Sequence, residues 1–132
     1  MPLKITLKPH EKVIIGDAVI VNGDSRSHFV IANNVPILKE KDIMREEEAD
    51  SPCKRVYFVI QLMYIDDKNI LQHHHTYWQL VKEVMDAAPS TLLMIDQISR
   101  QILGRRYYQA LKLAKKLIEY EQEAIKSVRQ SD

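Results

Sequence analysis

The sequence predicts an α+β fold: a small antiparallel β-sheet or barrel-like half of about six strands, then a three-helix half. Three observations carry it. Leu3–Lys8 alternates apolar and polar residues, and further short strand-like runs up to Leu38 are separated by turn residues. The run Lys54–Ile65 is apolar on both of its alternating faces. From Ile70 onward apolar residues recur at spacings of three and four. The predicted halves are residues 1–65 and 66–132, and at 132 residues they can also share one core.

Leu3-Lys4-Ile5-Thr6-Leu7-Lys8 has the period of a half-buried strand, and Pro9 ends it by removing a backbone donor. Lys12–Ile15 and Ala18–Val21 follow, turned by Gly16-Asp17. Asn22-Gly23 is the strongest hairpin signal, because both residues tolerate positive φ. Ser27–Ala32 is the fourth strand. Val35–Leu38 is a short fifth, held to an edge or a bulge by Pro36. Residues 42–50 are acidic and polar, a helical turn or a loop, broken by Ser51-Pro52. Lys54–Ile65 then reads as the longest strand and as the seam between the halves.

Asp66-Asp67 predicts a helix start. The stripe Ile70, Leu71, His74, Tyr77, Trp78, Val81, Val84, Met85 and Ala88 marks the first helix. Ser90 or Thr91 caps a second, with Leu92, Ile95, Ile98, Ile102 and Leu103 as its stripe and Gly104 as its stop. Arg105–Ser127 is the third, with Tyr107, Ala110, Leu111, Ala114, Leu117, Ile118, Glu121 and Ile125 along one face.

Net charge is +1, so no global field drives the molecule onto nucleic acid or membrane. Residues 100–129 nevertheless carry eight basic against three acidic side chains. The single Cys53 excludes an intramolecular disulfide and fits a reducing compartment. Met1-Pro2-Leu3-Lys4 leads straight into alternation without a secretory pattern, and no apolar run approaches the ~20 residues of a membrane helix. A cytoplasmic protein is expected.

No enzyme chemistry is expected. His73-His74-His75 point about 100° apart on a helix and cannot converge on one metal, so one is expected packed and two wet. Asp66-Asp67 and Glu46-Glu47-Glu48 are explained by capping and a solvated loop. Cys53 beside Lys54-Arg55 has no spaced histidine or acid, and the three glycines form no phosphate-binding loop. No catalytic residue, metal or cofactor is assigned.

The basic residues leave two readings open. Lys4, Lys8, Lys12, Lys39, Lys41, Lys54 and Arg55 place seven positive charges on the β-half. Such charges bind single-stranded RNA at a sheet edge, or keep edge strands from aggregating. Arg105, Lys112 and Lys116 form a helical stripe that meets phosphates or an acidic partner helix, or is simply solvated.

The central stretch Val35-Pro36-Ile37-Leu38-Lys39-Glu40-Lys41-Asp42-Ile43 resembles the signature of the FlbT family. So do Leu3–Pro9, Gly16-Asp17, Asn22-Gly23-Asp24, Arg55-Val56-Tyr57-Phe58, Gln61–Tyr64, Tyr107–Lys112 and Leu117–Glu121, which together span nearly the whole chain. Lys39 departs from the arginine expected there and lacks the planar fork that grips phosphate in two places. The resemblance implies a cytoplasmic post-transcriptional repressor of flagellin synthesis. It would bind the 5′ untranslated region of flagellin mRNA and promote its degradation during flagellum biogenesis.

Leu3–Ile43 is also similar to the carbon storage regulators, dimeric RNA-binding β-proteins. Lys8 answers to their basic first strand, and Glu40 stands where they have an arginine. That likeness implies a homodimer in which Leu3–Leu7 crosses between subunits. An alternative function of another class is an interaction module or chaperone-like adaptor. It would hold flagellin or a companion flagellar regulator through Trp78, Tyr77, Tyr107 and Tyr108 on the helical half, acting on mRNA indirectly.

Overall fold

A computed structural model describes residues 3–131, without the side chains of residues 130 and 131. It divides into two compact units, residues 1–43 and 44–132, where the sequence placed the boundary after Ile65. Among the described residues there are five strands and four α-helices, not six and three.

The first unit holds two small antiparallel sheets. Strand β1 (Leu3–Leu7) pairs with β4 (Ser27–Ile31), Ile5 lying opposite Phe29 and Thr6 opposite His28. Strand β2 (Lys12–Ile15) is central in the other sheet, between β3 (Ala18–Val21) and β5 (Ile37–Lys39). Alternation turns Ile5 and Leu7 inward to join Val13 in a core flanked by Ile15, Phe29, Ile31 and Ile37. β1 pairs here with its own β4, within one chain.

The tight hairpin forms at Gly16-Asp17, joining β2 to β3. Gly16 takes φ +63°, and a Cβ there would come within 3.2 Å of Val35 Cγ2. Asn22-Gly23, predicted as the hairpin, links strands of different sheets and makes none. The Asn22 side chain acts as a clamp instead. Its amide donates to the carbonyls of Leu7 (3.2 Å), Lys8 (2.8 Å) and Ser25 (3.0 Å), and its oxygen accepts from the Ser27 hydroxyl (2.7 Å).

The larger correction is Pro52–Ile65, which is helix α1 and not a strand. Apolar residues at nearly every position satisfy a period of two and a period of 3.6 alike. What decides is the start. Ser51 Oγ accepts from the Lys54 amide (3.2 Å), and Pro52 brings the φ of a first helical turn. A 14-residue element is also long for a strand. Val56, Tyr57, Val59, Ile60 and Met63 are buried around the helix, which packs against α2 (Ile70–Ala87) and α4 (Tyr107–Ser131).

Polar groups fix the helices at specific points. Gln61, buried on α1, accepts from the Met44 amide (2.8 Å) and donates to the Met44 carbonyl (2.9 Å). Glu121, reaching from α4, accepts from the Ser51 hydroxyl and the Cys53 amide (3.2 Å). Tyr77 of α2 shares a buried hydrogen bond with Ser99 of α3 (Leu92–Leu103), 2.8 Å long.

Two predicted caps differ, while α3 stops at Gly104 as predicted. Asp66 holds chiefly the Asn69 and His73 side chains (3.1 Å each). The Thr91 hydroxyl donates back to the Ala88 carbonyl (2.7 Å) and does not cap α3. After α3, Arg105 takes the left-handed conformation (φ 58°) while Gly104 keeps a negative φ.

Two predictions follow from this core. Replacing Glu121 by Ala leaves the Ser51 hydroxyl and Cys53 amide without their partner, at an expected cost of about 1–3 kcal/mol in urea unfolding. An unchanged midpoint would contradict that anchor. Burial, with the Glu121 carboxylate beside it, pushes the Cys53 thiol up to about 12 from its ordinary 9.0, and burial pushes Tyr77 up to about 12 from 10.0. The native state therefore holds these protons when the unfolded chain has released them. Their stabilising effect is whole below pH 9 and is lost as pH climbs from 9 towards 12. The urea midpoint should fall between pH 8 and pH 10.5, and a flat profile would contradict the assignment.

Candidate nucleic-acid interface

Because side chains alternate along a strand, burying Ile5 and Leu7 turns Lys4 and Thr6 to the opposite, exposed face of β1. On β4 the same rule exposes His28 and Val30. The register places Lys4 opposite Val30 and Thr6 opposite His28. Thr6 Oγ1 and His28 Nδ1 are 3.1 Å apart. Lys8 and Arg26 are exposed just past the strand ends, beside the Leu7–Ser27 pair.

The outer face of this ribbon thus offers three cations, a hydroxyl and an imidazole, and none of its six positions is acidic. Chemically this suits a polyanion: cations for phosphates, and a hydroxyl and an imidazole ring for sugar or base. Two acidic side chains lie nearby, at the loop end. Glu11 Oε1 accepts from the Lys8 amide (2.8 Å), and Asp24 lies 3.4 Å from His10.

The other predicted RNA-binding residues lie elsewhere. Lys12, opposite Val21, shares the sheet face of Ile14 and Leu38. Lys39 is exposed on β5 opposite Val13, and Lys41 is exposed in the 3-10 turn Glu40–Asp42. Lys54 and Arg55 belong to the second unit, on α1, and Lys54 Nζ pairs with Asp50 at 3.1 Å. Arg26 and His28 were not assigned from sequence. Their every-other-residue spacing with Val30 was the signal.

On the helices, Lys112 Nζ sits 4.8 Å from the centre of the Tyr108 ring, a cation–π contact. Lys116 is exposed one turn on, and Arg105 is exposed in the α3–α4 connection.

The histidine run is more constrained than expected. His73 is held by Asp66, and His74 Nε2 lies 3.2 Å from the Tyr107 hydroxyl; only His75 is exposed. Asn69 and His73 together hold the Asp66 carboxyl below the usual carboxylate range. Among the described residues no three His, Cys, Asp or Glu side chains gather to hold a metal. No helix among them is long and apolar enough to cross a membrane.

A family model described as flagellar protein FlbT matches residues 3–125. The chain belongs to the FlbT family. It is 47% identical over 123 residues to the probable flagellum biosynthesis repressor protein FlbT 1 of Bradyrhizobium diazoefficiens, covering 92% of this chain and 84% of that protein. It is 39% identical to the probable FlbT repressor of a Caulobacter species, strain K31, over 95% of this chain and 97% of that protein. It is 37% identical to the flagellum biosynthesis repressor protein FlbT of Caulobacter vibrioides, over 95% and 90%. No solved structure matches. The FlbT family relationship thus confirms the resemblance read from the signature stretches.

Cys53 is buried, and its thiol is held protonated. It should resist a thiol reagent in the native protein at pH 8 and react fully in denaturant. Rapid native labelling would contradict this placement.

Proposed function

We propose that this chain represses flagellin synthesis after transcription, in the cytoplasm, by binding the 5′ untranslated region of flagellin mRNA and promoting the message's decay. The observation that carries the reading is the outer face of the β1–β4 ribbon, where Lys4, Lys8 and Arg26 surround Thr6 and His28 with no carboxylate among them. The names of the FlbT relatives supply the biological setting: they are called flagellum biosynthesis repressors. Contact is electrostatic with the backbone, and polar or stacking with unpaired bases. Decay follows because a bound leader is closed to ribosomes. No catalytic residue of this chain takes part.

The reading makes a specific demand on charge. With Lys4, Lys8 and Arg26 all changed to Glu, affinity for leader RNA should fall by about tenfold or more, and the salt slope should shrink by about two to three. Lys12→Glu, on another sheet face, should change little. Full retention of binding by the triple variant would overturn the assigned face.

One observation favours a second reading, an adaptor that holds flagellin or a companion regulator. Trp78 is 43% exposed and Leu71 84% exposed, seven residues apart on α2, although the sequence placed both in the packed stripe. A nuclease-treated pull-down that retains flagellin, from a protein with no measurable RNA affinity, would favour the adaptor.

A further inference from the structure

We propose that the outer face of α3 is a self-association surface, on which a second copy of this chain docks antiparallel. This rests on the second unit alone and is independent of the RNA reading.

Ile95, Ile98, Ser99 and Ile102 turn inward and are buried. The sequence counted Leu92 and Leu103 into that packed stripe, yet they are 57% and 69% exposed, and Leu93 is 77% exposed. With Asp96 and Arg100, these leucines occupy an arc of about 100° on the side away from the core, at 100° per residue. Three large apolar side chains thus face away from the core on one short helix.

The pattern of the stripe selects its occupant. Leu93 and Leu103 lie at its ends. Between them Arg100 Nε meets Asp96 Oδ2 at 2.9 Å, both side chains exposed. A two-fold axis level with Ile98 sets Leu93 against Leu103 of the second copy, and Asp96 against Arg100 of the second copy. The same axis repeats both pairs the other way round. Leucine meets leucine at both ends, and opposite charges meet twice in the middle. A parallel arrangement sets Asp96 against Asp96 and Arg100 against Arg100, and is disfavoured. The stripe is therefore complementary to itself in one orientation only, as an isologous contact requires.

The helix is about 18 Å long, so the contact is smaller than a standard interface, and association on the order of tens of micromolar is expected.

Charge reversal tests it through sedimentation velocity at 10 to 200 µM, approximate bounds that bracket that expected affinity. The wild-type chain should pass from monomer to dimer. Asp96→Arg and Arg100→Asp should each remain monomeric, because each sets like charges together. Mixed one to one, the two variants should associate at least as well as the wild type, since every facing pair is then opposite. Exposed helical ion pairs add little to folding, so melting temperatures should stay near wild type. Leu103→Glu gives a second monomeric variant that needs no change to the ion pair.

A wild type that stays monomeric throughout would overturn the proposal. So would a dimer indifferent to these substitutions, which would move the contact elsewhere, for instance to the exposed apolar edge strand β3. Two monomeric variants that fail to associate on mixing would overturn it as well.

Discussion

Half of the residues of helix α1 are buried, and the second unit is built to cover them. Val56, Tyr57, Val59, Ile60 and Met63 point in too many directions for a single neighbour to cover, so α2 and α4 both pack against it. Such a helix has little polar surface to orient it. The polar contacts at its start and middle supply the orientation. Glu121 binds its first turn from α4, and Gln61 grips the backbone of Met44.

The same burial explains what the sequence hid. A run with apolar residues on both alternating faces carries no single period, so Lys54–Ile65 read equally well as a buried strand. The Ser51-Pro52 pair that read as a break is the start of the helix. Where one face is wet, the pattern was legible: β1 starts at Leu3 and α3 spans Leu92–Leu103, as the alternation and the stripe predict. Turn chemistry was less so. Asn22-Gly23 has the composition of a hairpin, but the Asn22 amide found four partners across the chain and serves as a clamp. Caps misled for a related reason, because Asp66 also holds the Asn69 and His73 side chains and the Thr91 hydroxyl donates back to Ala88.

The candidate interface was half legible. Lys4 and Lys8 follow from the alternation of β1. Arg26 and His28 share the alternation of β4 with Val30, but placing them beside Lys4 and Lys8 needed the register of β4 with β1. Lys12 and Lys39 could not be separated from Lys4 by counting charges, since only the sheet to which each strand belongs decides the face it charges. In the β-unit, then, burial of Ile5, Leu7, Phe29 and Ile31 determines which side chains meet a ligand. The charge on the outer face is a consequence of the apolar residues on the inner one.

The account stands most directly on where RNA touches the protein. Ultraviolet cross-linking of the full chain to a flagellin leader RNA, followed by peptide mapping, measures this without altering any residue. Cross-links concentrated in residues 3–8 and 26–30 are the expected result. Cross-links confined to residues 44–131, or none at low ionic strength, would contradict the proposed role of the β1–β4 ribbon.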